Sequence, residues 1–222
     1  DHRDLHVRSR RQRQMCIRDR PKFAEINKID EAVKLIEQSK KPVILAGHGV
    51  IISKAYDELL KLAENCQIPV VTTLLGISSF PENHVLSLSF PGMHGVAWAS
   101  LALDQADLVI AIGSRFDDRI TGDTNRFATR SKKIHIDIDP AEINKNIYAD
   151  VPLIGNVKDV LQQLLPKLKS KTHLDWVQHI DDLKIKHPSL KIRKTDDLIG
   201  QYVVCLLYTS PSPRDLSTSR MP

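Results

Sequence analysis

Leu108-Val109-Ile110-Ala111-Ile112 runs directly into Gly113-Ser114-Arg115-Phe116-Asp117-Asp118-Arg119-Ile120-Thr121-Gly122. Five consecutive apolar residues, three of them β-branched, read as a strand buried on both faces of a parallel sheet. In open α/β sheets, ligands bind in the crevice beyond the carboxyl ends of the strands. Two arginines and two aspartates framed by glycines at such an end offer charged hydrogen bonds and a close backbone approach. The stretch therefore points to an α/β fold that holds a phosphate- and ribose-bearing cofactor. A surface ion-pair cluster, the other reading of the same charges, would contribute little to stability.

Working outward, strand and helix patterns alternate. Asp30–Gln38 carries Ala32, Val33, Leu35 and Ile36 on a helical stripe, and Pro42–Ala46 is an apolar strand closed by Gly47-His48-Gly49. Ala55, Leu59, Leu60, Leu62 and Ala63 mark a second helix. Ile68–Thr72 reads as the next strand, and Gly95–Gln105 as a helix of small residues suited to close packing on a sheet. After the strand Leu108–Ile112 come a fourth, Lys133–Ile138, and a short fifth, Val151–Gly155, whose Pro152 suits a sheet edge. Val157–Leu168 is a strong helix and His173–His187 a more exposed one. Pro188–Asp197 reads as a linker. This alternation predicts a doubly wound parallel sheet.

The ends of the chain read differently. Gln14–Asp19 is the translation of CAG ATG TGT ATA AGA GAC, which resembles a transposase adapter from sequencing libraries. Cys205–Asp215 fits the opposite-strand adapter, and Asp1–His6 and Ser219–Pro222 fit the stretches that flank such adapters. Residues 1–20 and 204–222 are accordingly expected to be adapter-derived and disordered, leaving 21–203 as the natural insert. Residues 1–20 hold seven Arg against three Asp, and 204–222 two Arg against one Asp. The formal charge of +5 lies entirely there, and 21–203 carries 23 basic and 23 acidic residues. The high pI is thus no argument for nucleic acid or a membrane surface. No apolar run approaches the ~20 residues of a membrane span. Outside the ends only Cys66 remains, which excludes a disulfide framework or a cysteine metal site and suits a small buried apolar residue.

Several loops could hold a ligand. Gly47-His48-Gly49 lacks the third glycine of a dinucleotide fingerprint, and no acidic residue ends the second strand, so a nicotinamide site fits poorly. The same loop reads equally as a tight turn. Gly92-Met93-His94-Gly95 is either a ligand-lining loop or a turn before a helix. Asp137 and Asp139 close a strand, where a carboxylate could accept sugar or ribityl hydroxyls; Asp139 could instead cap the turn Pro140–Glu142. Their spacing implies neither a catalytic carboxylate pair nor a metal site.

Four strings carry a family resemblance: Pro69–Gly76 (PVVTTLLG), Pro91–Gly95 (PGMHG), Gly113–Gly122 (GSRFDDRITG) and His135–Asn146 (HIDIDPAEINKN). In order and spacing, Val43–Lys158 resembles the central domain of the large catalytic subunit of acetohydroxyacid (acetolactate) synthase, a thiamine-diphosphate enzyme. The resemblance implies a Rossmann-like, doubly wound six-stranded parallel sheet over residues 21–190, binding FAD in an extended pose. It implies that 191–203 links to a third domain. FAD contacts carried over from the family fall on Gly47, Gly49, Thr73, Leu74, Leu75, Gly92, Met93 and His94. They continue on Gly113, Arg115, Asp117, Arg119, Ile120, Asp137, Ile138, Glu142, Gly155 and Asn156. Met93, Asp118 and Arg119 would also face the channel toward the thiamine cofactor. Three positions depart from the family pattern: His48 for a small residue, Pro91 for Leu, and Asn156 for Asp.

The resemblance further implies a cytoplasmic homodimer or tetramer of the full subunit, with or without a regulatory small subunit, acting on 2-ketoacids. Thiamine diphosphate and Mg2+ would be held by other domains, so no catalytic or metal-ligating residue is expected in this chain and the fragment alone is expected to be inactive. A nicotinamide-binding domain and a cofactor-free structural domain are the competing readings.

Overall fold

The computed structural model describes residues 23–92 and 94–188. Met93, both adapter-like ends and the segment 191–203 lie outside the described residues. The chain alternates α1 (Ile26–Gln38), β1 (Pro42–Ala46), α2 (His48–Ser53), α3 (Tyr56–Cys66), β2 (Val70–Thr72), α4 (Ala97–Gln105) and β3 (Leu108–Ile112). It continues through the short α5 (Asp118–Thr121), β4 (Lys132–Asp137), β5 (Val151–Ile154), α6 (Val157–Leu164) and α7 (Leu174–Lys186).

All five strands pair in parallel, in the order β2-β1-β3-β4-β5. Every residue of β1 and of β3 is buried, because helices cover both faces. The period-two alternation of a strand divides these residues between two cores. Ile44, Ala46, Ile110 and Ile134 pack with residues of α1, α3 and α6, among them Ile36, Leu62 and Val160. Val43, Leu45, Val109 and Ala111 face the other way, onto Ala99, Leu103, Trp176 and Ile180 of α4 and α7.

The expected six-stranded sheet has five strands among the described residues. In place of a sixth, residues 86–89 run beside β2 as a single parallel bridge between Val70 and Ser87. Val70 N–H donates to Leu86 O (2.8 Å), Leu88 N–H to Val70 O (2.8 Å) and Thr72 N–H to Ser89 O (3.0 Å). The pairing stops where Ser89 turns to a φ of 64° ahead of Phe90 and Pro91, which has no N–H to donate. A sequence pattern sees apolar residues there; it does not see that the turn cuts the ladder to three bonds.

Other boundaries shift for local reasons. The segment after β1 forms two helices, α2 and α3, because Lys54 adopts a left-handed φ of 53° and breaks them apart. β2 starts at Val70, since Pro69 offers only its carbonyl, which accepts from Ile44 N–H at 2.9 Å. α6 ends at Leu164 and tightens into a 3-10 turn, Leu165–Lys167, around Pro166. Pro152 does sit in the edge strand β5, opposite His135. α7 is, as expected, more exposed than α6, and it is seated by the buried Trp176, Ile180 and Leu183. Cys66 is buried and free, and burial pushes its thiol up from the ordinary value. Among the described residues no helix is long and apolar enough to cross a membrane.

Candidate functional site at the carboxyl ends of the strands

β1 has β2 on one side and β3 on the other, so the chain leaves β1 in one direction and later returns in the opposite one. Such a topological switch point opens a crevice at the strand ends. Here the two turns meet in direct contact. Gly47 N–H donates to Ile112 O (2.9 Å) and Gly49 N–H to Gly113 O (3.1 Å). A Cβ on Gly49 would lie 2.6 Å from the Gly113 Cα, and one on Gly47 would overlap the Gly113 carbonyl. Both glycines are therefore required by loop-on-loop packing, and their N–H groups are committed to it. Of the two readings of this loop, a tight turn accounts for what is seen.

Thr73, buried at the end of β2, donates its N–H to Ala46 O at 2.9 Å. Leu74 and Leu75 follow in a 3-10 turn and stand about two-thirds exposed, at 66% and 65%. The two exposed leucines form a small apolar patch at this edge. His48 donates from Nδ1 to Leu75 O at 2.8 Å and pins that turn. Gly92 has a φ of 97°, and a Cβ there would overlap the carbonyl oxygen of Arg119. The loop at Gly92 thereby abuts α5, while His94 is exposed.

The charged stretch after β3 is ordered from within. Ser114 and Phe116 are buried, whereas Arg115, Asp118 and Arg119 are exposed. Asp117 caps α5, its Oδ1 accepting from Arg119 N–H at 3.0 Å, and pairs with Arg115 at 3.4 Å. Hydrogen bonding with the Asp118 carboxyl, then with the Arg119 N–H, holds the Asp117 carboxyl below its ordinary value; the Arg115 and Arg119 charges add to this. Ion pairs this exposed contribute little to folding, which leaves the arginines free to serve a ligand. Ile120 is only half-buried and packs against the α4–α7 core.

At the end of β4, Asp137 is buried, and its Oδ1 accepts from Asp139 N–H at 2.8 Å. Its carbonyl accepts from Gly155 N–H at 2.9 Å, joining the ends of β4 and β5. Asp139 accepts from Ala141 N–H at 3.1 Å, so it does cap the following turn. Ile138 is half-buried, and Glu142 pairs with Lys145 at 2.8 Å. Asn156 caps α6, accepting from Lys158 N–H at 3.0 Å. Asn and Asp are equivalent as N-caps, so the departure at this position keeps the cap. Asn156→Ala should lower stability by about 1 kcal/mol and Asn156→Asp should leave it within a few tenths, both read from urea unfolding midpoints.

The strand ends thus bring Gly47, Gly49, Thr73, Gly113, Asp137 and Gly155 to one edge, with Arg115 and Arg119 rising from the turn beyond β3. Two residues in this region carry structural weight that the sequence reading did not single out. Asn146 donates from Nδ2 to Phe116 O at 3.0 Å. His135, fully buried in β4, hydrogen bonds from Nε2 to Ser114 O at 2.8 Å. A lone polar side chain within the otherwise apolar run Ile134–Ile136 was the available signal. Among the described residues, no group of three or more His, Cys, Asp and Glu side chains could hold a metal ion.

A doubly wound parallel sheet with abutting glycine turns and exposed arginines at its carboxyl edge defines a Rossmann-like α/β domain. Residues 29–164 match the family described as thiamine pyrophosphate enzyme, central domain, and the chain belongs to that family. It is 54% identical over 159 residues to a probable acetolactate synthase large subunit of Methanocaldococcus jannaschii, covering 70% of this chain and 27% of that protein. It is 45% identical over 191 residues to the acetolactate synthase large subunit of Corynebacterium glutamicum (83% of this chain, 30% of the relative). With an acetolactate synthase of Mycobacterium avium the identity is 44% over 183 residues, covering 79% and 30%. The chain spans less than a third of the length of these relatives.

Proposed function

We propose that this chain is the FAD-binding central domain of an acetolactate synthase large subunit, a thiamine-diphosphate-dependent transferase that condenses pyruvate with a second 2-ketoacid in branched-chain amino-acid biosynthesis. The observation that carries the reading is the exposed Arg115-Asp117-Arg119 cluster beside the glycine contact at the switch point. The names of the relatives and the family match supply the reaction class. Thiamine diphosphate and Mg2+ belong to other parts of the full subunit. Its partners are further copies of the large subunit, with or without a regulatory small subunit, in the cytoplasm.

The residues present fit a flavin dinucleotide chemically. FAD brings a flat apolar ring system, a run of hydroxyls and a diphosphate. Arg115 and Arg119 supply cations for the diphosphate. The Asp137 carboxylate, at the end of β4, is an acceptor for hydroxyls. Leu74 and Leu75 offer exposed apolar surface for the ring. In this role the flavin acts by filling and ordering the domain. The end of β2 offers Thr72 and Thr73 where a nicotinamide dinucleotide site would want a carboxylate, which favours FAD over NAD.

The test is titration of the purified 222-residue chain with FAD and with NAD, followed by flavin fluorescence. Binding is expected for FAD alone. Replacing Arg115 and Arg119 together by Ala should weaken FAD at least about 100-fold, since each charge-assisted hydrogen bond contributes roughly 1.5–3 kcal/mol. Unchanged flavin retention in the double variant would remove this assignment and favour a domain that carries no cofactor on this edge.

A further inference from the structure

Resting on the FAD reading of this edge, we infer that His135 is a positioning residue for the cofactor loop: a buried imidazole whose hydrogen bond to Ser114 O latches the turn bearing Arg115 and Asp117. The turn Gly113–Asp117 makes an unusual pair of reversals. Gly113 and Phe116 both adopt left-handed φ angles, 59° and 50°. A left-handed Phe is uncommon and has to be held by its surroundings. Two polar side chains and two ring contacts, with His135 and with Phe127 (centroids 5.9 Å apart), hold it. His135 Nε2 donates to Ser114 O at 2.8 Å, and Asn146 Nδ2 to Phe116 O at 3.0 Å. The His135 ring meets the Phe116 ring edge-on, with centroids 5.0 Å apart and planes at 71°. Ser114 and Phe116 are thereby drawn inward, and Arg115 and Asp117 between and beyond them are turned outward.

The tautomer follows from the partner. A carbonyl only accepts, so the proton sits on Nε2. Nδ1 is buried with no hydrogen-bond partner among the described residues. Protonating it would put a charged donor into an interior with no acceptor, a state that burial strongly disfavours. Burial accordingly lowers the His135 pKa, against the Ser114 hydrogen bond and the charges of Asp137 and Glu142, which act to raise it. The strand partners on either side, Ala111 in β3 and Pro152 in β5, carry no charge. A buried donor on β4 is thus aimed at the Ser114 carbonyl of the arginine turn.

Gln places an N–H at nearly the same distance from the backbone as His Nε2, whereas Leu fills the space and donates nothing. The experiment compares the full 222-residue chain with its His135→Gln and His135→Leu variants. Three readouts are FAD affinity by fluorescence, amide hydrogen exchange of Ser114–Asp118, and the thermal midpoint without FAD. His135→Leu should weaken FAD by about tenfold or more, as for loss of a buried hydrogen bond at the binding loop, and speed exchange in the turn. His135→Gln should restore both, even where its thermal midpoint falls as far as that of the Leu variant. Equal FAD affinity and equal exchange in folded Leu and Gln variants would overturn the latch. Should the Leu variant not fold, 15N shifts of the wild-type ring decide: an Nε2–H tautomer that stays neutral below the usual histidine range supports the latch, and an Nδ1–H tautomer or ordinary titration overturns it. Failure of the wild-type chain to bind FAD would remove the cofactor reading, while the exchange comparison would still decide whether His135 holds the turn.

Discussion

Gly47→Ala is expected to destabilise the domain by roughly 3 kcal/mol, at or beyond the upper end of ordinary overpacking. The backbone at Gly47 (φ −105°, ψ −174°) is extended and open to any residue, so the cost is purely steric. An added Cβ would overlap the Gly113 carbonyl oxygen and lie 2.7 Å from Gly113 C and 2.8 Å from Ser114 Cα. All three are backbone atoms, so no side chain can swing away. Relief requires the turns after β1 and β3 to separate, which stretches the bonds from Gly47 N–H to Ile112 O and from Gly49 N–H to Gly113 O. Gly122→Ala is the control. Gly122 (φ 57°, ψ −120°) has nothing within 4 Å of a Cβ, so it should show backbone strain alone, about 1–3 kcal/mol, and no loosening of the turns after β1 and β3. Urea unfolding measures both. If Gly47→Ala stayed within 0.5 kcal/mol of wild type, roughly the range of ordinary surface changes, the turns would not abut. Because Gly113 opens the arginine turn, any Gly47→Ala protein that folds should also lose FAD affinity.

The same contact explains why the glycines were legible as glycines but not by cause. Sequence shows that Gly47, Gly49 and Gly113 sit at strand ends, where backbone approach matters. What approaches Gly49 is the backbone of Gly113, some sixty residues away, and no local pattern encodes that partner. The strands themselves were readable because β1 and β3 are buried along their whole length, so apolar runs map directly onto them. The sixth strand of the family pattern was not: among the described residues only a bridge at Ser87 forms beside β2, and it ends at the turn at Ser89. Asp139 shows the opposite case: its capping of Ala141 N–H is local, two residues away, and was foreseeable as one of two readings. His135 was missed because an isolated histidine in a strand has no periodic signature; only the position of the Ser114 carbonyl gives it a task.

Helix α7 is the more exposed of the last two helices, as its sequence suggested, so few residues hold it, and this makes Trp176→Ala the other large effect, expected to cost about 3–5 kcal/mol. The segment is rich in charge, and of its six apolar residues only Trp176, Ile180 and Leu183, at i, i+4 and i+7, are buried. Spaced this way they form one narrow stripe, enough to seat the helix on the sheet when one member is a tryptophan. Trp176 is 3% exposed and packs in the core that contains Val43, Leu45, Val109 and Ala111. Its Nε1–H donates to Pro42 O at 3.1 Å, tying α7 to the start of β1. The Lys41 ammonium lies 5.7 Å from the ring centroid, and the His179 ring stacks on it at 5.6 Å. Alanine removes the packing and the donor together, whereas Trp176→Phe keeps most of the packing and loses the donor, for about 1 kcal/mol. Urea unfolding of the two variants separates the terms, and near-equal losses would mean that the hydrogen bond, not the ring, secures the helix. A cost below 1 kcal/mol for Trp176→Ala would instead show that α7 does not cover this face of the sheet. Since the strands on that face end in the turns carrying Gly47 and Gly113, looser packing of α7 should also reach the arginine turn, and FAD affinity should fall in step with stability across the two variants.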